Sequence, residues 1–153
     1  MTQYGITFAE TPADEELQIL SDGLDKHMES IFGSGKNVPL TFFLRDEEGS
    51  VAGGVHGNYS EFGWLYISTL WVSEKARGNN YGTQLMEQIE REAIKAGCIS
   101  AYLDTFSFQA PEFYRKLDYT LFAELEDFPA GHSRCFFRKR LIPTEEQRTK
   151  YGS

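Results

Sequence analysis

The sequence predicts an α/β protein with a mixed twisted sheet, and three observations carry this prediction. Residues 62–72 form an apolar run rich in β-branched and aromatic side chains, and residues 98–104 form a second run of this kind. Between the two runs, apolar residues recur at helical spacing, namely Leu85, Met86, Ile89 and Ala93. A strand, a helix and a second strand in this order form a βαβ unit, whose two strands are parallel neighbours.

The N-terminal part of the chain adds a strand, a helical region and a hairpin to this unit. Residues 4–10 are predicted to form the first strand. From residue 11 to about residue 31, early acidic residues and leucines at helical spacing predict helix, which Gly23 divides into two pieces. Residues 40–46 and 50–57, joined by Asp-Glu-Glu-Gly, predict a β-hairpin.

The C-terminal part completes the predicted sheet. Residues 109–117 predict a short helix with a proline in its first turn, and residues 118–127 and 132–141 predict the last two strands. The total is six to seven strands and about four helices, with the parallel pair as the fourth and fifth strands. We therefore expect one domain over residues 1–142, followed by a polar C-terminal tail at residues 143–153.

Composition and charge exclude several classes of function. A net charge of −8 argues against a nucleic-acid partner, which requires a basic face, and is compatible with a cationic small molecule. The longest apolar run is too short to span a membrane, and residues 1–10 lack the basic and apolar regions of a signal peptide. The cysteines Cys98 and Cys135 have no metal-ligand spacing, and free thiols suit the cytoplasm. No metal site is expected, because the histidines also lack metal-ligand spacing; they are His27, His56 and His132.

A polar turn between the strand at 62–72 and the following helix has the composition of an anion-binding loop. Gly78 allows the backbone to curl tightly, and Gly82 allows a ligand to approach the start of the helix. Backbone N–H groups from Gly78 to Thr83 would converge where the helix dipole also favours negative charge. Arg77 adds a positive charge and the Thr83 hydroxyl adds a hydrogen bond, a combination that suits a pyrophosphate. The alternative is a plain connector between strand and helix.

This turn and two other segments resemble a known family. Arg77-Gly78-Asn79-Asn80-Tyr81-Gly82 resembles the acetyl-CoA loop of the GNAT N-acetyltransferases, which is usually Arg/Gln-x-x-Gly-x-Gly/Ala. The segment YISTLWV at 66–72 resembles the fourth strand of that family, and FYRKLDY at 113–119 resembles its Phe-Tyr-x-Lys-x-Gly-Phe segment. The order of the elements fits from residue 4 to about residue 141. The chain is therefore identified as a small, single-domain GNAT protein of bacterial type.

The resemblance implies a GNAT fold, acetyl-CoA as co-substrate and no metal. It implies direct transfer of the acetyl group to a primary amine in a ternary complex, and the acidic net charge suits a small, cationic acceptor. In the family, the backbone of the fourth strand pairs with the pantetheine arm and polarises the thioester carbonyl. The cofactor-binding residues implied here are Leu70, Trp71, Val72, Arg77, Gly78, Asn79, Asn80, Tyr81, Gly82, Thr83 and Ser107.

Four positions depart from the family pattern. Asn80 and Asp118 stand where glycine is usual, and both residue types tolerate left-handed backbone. Ser107 stands in the place of an Asn that often contacts the cofactor. Tyr66 stands where many members carry a Glu that serves the acceptor amine, so a carboxylate base is absent at that position.

The resemblance also suggests which side chains carry the chemistry. Tyr114 matches the general acid that protonates the leaving CoA thiolate. For the amine, Tyr66 could orient a water molecule and Asp104, at a strand end, could accept a proton. Glu29 and Asp25 could bind a cationic acceptor. For each of these three carboxylates, a solvated surface charge is the alternative.

Two other functions remain open at this stage. One is an acyl-CoA-binding regulatory or interaction module with little or no turnover, and the other is acetylation of protein or peptide amines. A homodimer is also open, because Phe136 and Phe137 on the last strand point to opposite faces and one of them could be exposed.

Overall fold

The computed structural model describes residues 1–33 and 35–142, which divide into two compact units at residue 35. The first unit contains one helix, α1 (Asp14–Phe32), which runs unbroken through Gly23. The predicted division at Gly23 is therefore wrong, because a single glycine costs a helix only about 1 kcal/mol. The predicted strand at 4–10 is also wrong, since that segment has no regular secondary structure. Alternating apolar residues favour a strand only where a neighbouring strand pairs with them.

The second unit holds the sheet and the remaining helices of the described residues. Its elements are β1 (Val38–Arg45), β2 (Val51–Tyr59), β3 (Trp64–Val72), α2 (Tyr81–Lys95), β4 (Ser100–Phe106), α3 (Pro111–Lys116), β5 (Thr120–Glu126) and β6 (Ser133–Arg140). A single 3-10 turn at Glu74–Ala76 lies between β3 and α2. The described ranges thus contain three α-helices rather than about four.

The six strands form one mixed sheet in the order β1-β2-β3-β4-β6-β5. β3 and β4 are parallel, and every other neighbouring pair is antiparallel. The predicted α/β class and the parallel pair are confirmed, although the pair is third and fourth because the segment at 4–10 adds no strand. The single domain predicted for residues 1–142 remains a prediction, and the tail at 143–153 lies outside the described residues.

One face of the sheet is covered by α2. The predicted apolar stripe of this helix is confirmed, because its apolar side chains lie in the core, as do those of the strands beneath it. The largest fully buried side chains of this core are Phe137, Leu65, Met86, Ile89, Leu103, Val55 and Cys98. No helix in the described ranges is long and apolar enough to cross a membrane.

Candidate active site

The two parallel strands separate at their carboxyl ends. Their pairing ends at Ile67 and Leu103, although both strands continue for several residues. A bulge in the β2–β3 pairing falls at Ser68, directly after the last parallel pair. Since a bulge bends the strand that carries it, this position favours the divergence of β3 from β4. A cavity of about 990 Å³ opens between the strands.

The end of β3 forms one wall of this cavity. Leu70, Trp71 and Val72 all line it. On the side that faces β4, residues 68–72 pair with no strand in the described part of the chain, since the parallel ladder ends at Ile67. An unpaired strand edge of this kind can form backbone hydrogen bonds with an extended ligand.

The start of α2 forms a second wall, and its backbone is arranged to bind an anion. Gly78 (φ 84°) and Asn80 (φ 66°) adopt the left-handed conformation that the sequence predicted for this turn. In the part of the chain that the structure describes, the N–H groups of residues 78–83 donate to no protein acceptor. No side chain caps the helix, and its first turn carries no acidic residue. Free N–H groups and the helix dipole together favour a phosphate at this position.

The side chains of the turn have separate contacts. Arg77 lines the cavity, and its Nε donates to the Val72 carbonyl at 3.0 Å, which ties the charge to the end of β3. The Asn79 amide instead donates to the carbonyls of Ala76 and Arg77, and Asn79 does not line the cavity. The other residues of the predicted loop line it, namely Gly78, Asn80, Tyr81, Gly82 and Thr83.

Gly82 has a packing role that the sequence did not show. A Cβ atom at this position would lie 3.2 Å from Cζ of Phe113, so the absence of a side chain brings α2 and α3 together. The sequence predicted that a ligand would approach Gly82 closely, and the structure places the ring of Phe113 there.

Tyr114 on α3 also lines the cavity. Its ring packs against Phe113, Tyr119 and Phe137, and its burial, with a smaller contribution from the charge of Asp104, raises the pKa of Tyr114 to about 12. In the described ranges, every buried polar side-chain atom has a hydrogen-bond partner. The Tyr114 hydroxyl, by contrast, forms no hydrogen bond with the protein there. The hydroxyl oxygen is therefore accessible, and it keeps its proton at neutral pH.

Tyr66 and Asp104 meet where the two strands begin to separate. The Tyr66 hydroxyl donates to Asp104 Oδ1 at 3.1 Å, and Arg134 on β6 binds Asp104 Oδ2 through Nε and Nη2, each at 2.8 Å. Burial and the hydrogen bond to Asp104 raise the pKa of Tyr66. Asp104 lines the cavity, whereas Tyr66 and Arg134 are outside its lining residues. We call these three residues the cavity trio.

Sequence reasoning did not find Arg134, because its proximity to Asp104 depends on strand register. Arg134 lies opposite Phe106, two residues beyond Asp104 on the same face of β4, so its side chain reaches Asp104 diagonally. The cavity-lining residues Gln109 and Lys116 were also missed.

Ser107 joins Asn79 and Tyr66 outside the cavity lining, and two further predicted residues belong to the first unit. Ser107 does not line the cavity, and its Oγ accepts the backbone N–H of Ser133 at 2.9 Å. Glu29 and Asp25 lie on α1 in the first unit, so their role toward the acceptor remains a prediction.

Comparison with known proteins identifies the family. The sequence pattern of the acetyltransferase (GNAT) family matches residues 8–119. The chain belongs to the GNAT family. An acetyltransferase of Agrobacterium fabrum is 33% identical to this GNAT chain over 130 residues, which cover 84% of the chain and 94% of the relative. Blasticidin-S acetyltransferase of Streptomyces morookaense is 40% identical over 96 residues, which cover 62% of the chain and 70% of the relative.

A solved structure has the same fold. The crystal structure of an acetyltransferase from Bacillus cereus aligns with this GNAT protein with a TM-score of 0.81 and 37% sequence identity. The alignment covers 88% of this chain and 97% of the other. The sequence-based identification of the family is confirmed. The general activity of this family is that of an acetyltransferase.

Proposed function

We propose that this protein moves an acetyl group from acetyl-CoA to a primary amine of a small, cationic molecule, by direct attack in a ternary complex. The observation that carries the proposal is the convergence of three features on one cavity. These are the unpaired edge of β3, the free N–H groups at the start of α2 and the accessible Tyr114 hydroxyl.

The cavity fits acetyl-CoA in both of its main chemical parts. Residues 78–83 would hold the pyrophosphate through their N–H groups, with Arg77 as the counter-charge. Residues 70–72 would bind the pantetheine amides through backbone hydrogen bonds, which require no particular side chains. When bound, acetyl-CoA supplies the activated thioester for acyl transfer.

Tyr114 would act as the general acid. The departing sulfur carries negative charge, and a phenol whose pKa is about 12 holds its proton throughout the physiological range. The hydroxyl is accessible and lines the same cavity as the strand edge, which supports its contact with the reacting atoms.

The acceptor amine must be neutral when it attacks. An alkyl amine with a pKa near ~10.4 is mostly protonated at pH 7, so removing its proton costs roughly 4 to 5 kcal/mol. Asp104 is engaged by both Tyr66 and Arg134, so it is poorly placed to act as a free base. A small-molecule acceptor is supported by the relative from Streptomyces morookaense, which is a blasticidin-S acetyltransferase, and by the negative net charge of this protein.

Binding of acetyl-CoA is the first requirement of the proposal, and calorimetry tests it. We expect titration calorimetry to show binding with a dissociation constant on the order of micromolar, weakened at least about 10-fold in Arg77→Glu because the charge near the phosphates is reversed. Lys75→Glu is the matched control, because Lys75 carries the same charge in the preceding 3-10 turn but does not line the cavity. Absence of binding to the wild type would overturn the proposal.

The second step is a screen of small amines and peptides, with release of the CoA thiol as the signal. Turnover of small cationic amines supports the proposal. Turnover confined to peptides would favour the peptide acetyltransferase, and acetyl-CoA binding without thiol release would favour the regulatory module. This last alternative is favoured by one observation: Asp104 is bound by Arg134 and is therefore poorly placed to act as a base.

A further inference from the structure

The cavity trio fixes the direction of one hydrogen bond beside the cavity. Asp104 accepts a hydrogen bond from the Tyr66 hydroxyl on Oδ1 and hydrogen bonds from the Arg134 guanidinium on Oδ2, so both of its oxygens are engaged. The raised pKa of Tyr66 keeps this proton on the phenol. Tyr66 does not line the cavity itself, but its hydroxyl lies 3.1 Å from Asp104, which does. Because the hydroxyl proton points at Asp104, the phenol oxygen beside the cavity has only acceptor lone pairs left for any other group.

Arg134 is itself held in place by aromatic rings. Its guanidinium carbon lies 5.3 Å from the ring centre of Phe128 and 5.3 Å from that of Phe136. These contacts restrict the guanidinium, and two N–H groups on one carboxylate oxygen restrict Asp104 in turn. A carboxylate without this partner would be free to rotate.

We propose that Arg134 is a positioning residue of the acyl transfer. It neutralises and orients Asp104, Asp104 accepts the hydrogen bond of the Tyr66 hydroxyl, and the Tyr66 oxygen is left to accept an N–H of the acceptor amine. This inference rests on the proposed function and assigns Arg134 a task within it. The expected selectivity is for acceptors that donate a hydrogen bond, which primary amines do.

A double-mutant cycle tests the coupling between Arg134 and Tyr66. Arg134→Gln is expected to lower kcat/KM for the amine about 10-fold, with the dissociation constant of acetyl-CoA unchanged within about 2-fold. In a Tyr66→Phe background, the same substitution should lower kcat/KM by less than about 2-fold, because the hydroxyl through which Arg134 acts is gone.

Arg138→Gln is the matched control. Arg138 lies four residues further along β6, its guanidinium stands over the Phe122 ring at 5.3 Å, and it makes no ion pair in the described part of the chain. We expect this substitution to leave kcat/KM within about 2-fold of the wild type. Arg134→Lys should retain part of the activity lost in Arg134→Gln, because lysine keeps the charge but not the fork of donors.

The outcomes separate this inference from the proposed function. Equal losses from Arg134→Gln with Tyr66 present and absent would overturn the inference alone, since Arg134 would then act on structure generally. If Arg134→Gln does not fold, the same cycle is run with Arg134→Lys under the same criterion. A wild-type protein that binds acetyl-CoA but releases no thiol with any amine would overturn the proposed function and this inference together.

Discussion

Two groups of side chains with the same kinds of functional group lie on different sides of this protein's sheet. In the cavity trio, Tyr66 and Arg134 bind Asp104. In a second group, the core trio, Tyr119 donates to Glu90 Oε2 at 2.9 Å and Lys139 binds Glu90 Oε1 at 2.7 Å. Each group joins a phenol, a carboxylate and a cation, and the two carboxylate side chains are similarly buried, at 14% and 10% exposed.

The difference between the trios lies in what surrounds them. Glu90 projects from α2, and its partners are Lys139 on β6 and Tyr119, which is 3% exposed and directly precedes β5. The core trio therefore ties a helix to the sheet. The cavity trio ties β3, β4 and β6 together at the point where the parallel strands separate. Similar chemistry thus joins a helix to the sheet in one place and lies beside the candidate active-site cavity in the other.

The largest expected effect comes from removing the carboxylate of the core trio. We expect Glu90→Ala to lower the free energy of unfolding by about 3 to 5 kcal/mol, because a largely buried Lys139 and the Tyr119 hydroxyl lose their partner. Urea denaturation measures this change. Glu87→Ala, at an exposed position on the same helix, is the control and should shift stability by no more than about 0.5 kcal/mol. Equal losses in the two variants would refute a stabilising role for the core trio.

The next effect concerns Tyr114, whose ring contacts Tyr119 of the core trio. Burial, with a smaller contribution from the charge of Asp104 in the cavity trio, raises the pKa of Tyr114. Tyr114→Phe is expected to lower kcat about 100-fold, because the leaving thiolate loses its proton donor. Acetyl-CoA affinity should stay within about 2-fold of the wild type. Tyr119→Phe removes a neighbouring hydroxyl outside the cavity, and its kcat should be unchanged under conditions where it is folded. A normal kcat in Tyr114→Phe would remove Tyr114 from the mechanism.

The smallest expected effect is on stability at alkaline pH. Burial, followed by the charge of Glu90, raises the pKa of Tyr119 above its ordinary value of about 10. The stabilisation from this neutral phenol is therefore complete below pH 10 and is lost as the pH rises further, because the unfolded chain releases the proton first. Tyr119→Phe should cost about 1 to 2 kcal/mol at pH 7.

Denaturation curves measured between pH 8 and about pH 11 check the sign of this dependence. The wild-type free energy of unfolding should decline above about pH 10, and Tyr119→Phe should decline less steeply. Parallel curves for the two proteins would show that Tyr119 is not the group responsible. Tyr66→Phe provides a comparison within the cavity trio, where the phenol is more exposed and a smaller change in slope is expected.

Local sequence signals predicted most of the second unit correctly. The helical spacing of apolar residues in α2, the hairpin of β1 and β2, and the left-handed turn at Gly78 and Asn80 each depend on residues close together in the chain. The strand predicted at 4–10 and the break predicted at Gly23 were wrong, because a strand requires pairing from elsewhere and a helix tolerates one glycine.

The sequence by itself determined the α/β class, the parallel strand pair, the family, and the glycine-containing turn that opens α2. These follow from periodicity and from short motifs, which act over a few neighbouring residues. Only the tertiary structure decided that Arg134 binds Asp104 and that Glu90, Tyr119 and Lys139 form a buried group. Such contacts join residues 29 to 49 positions apart in the chain, and strand register and helix orientation, rather than local pattern, bring them together.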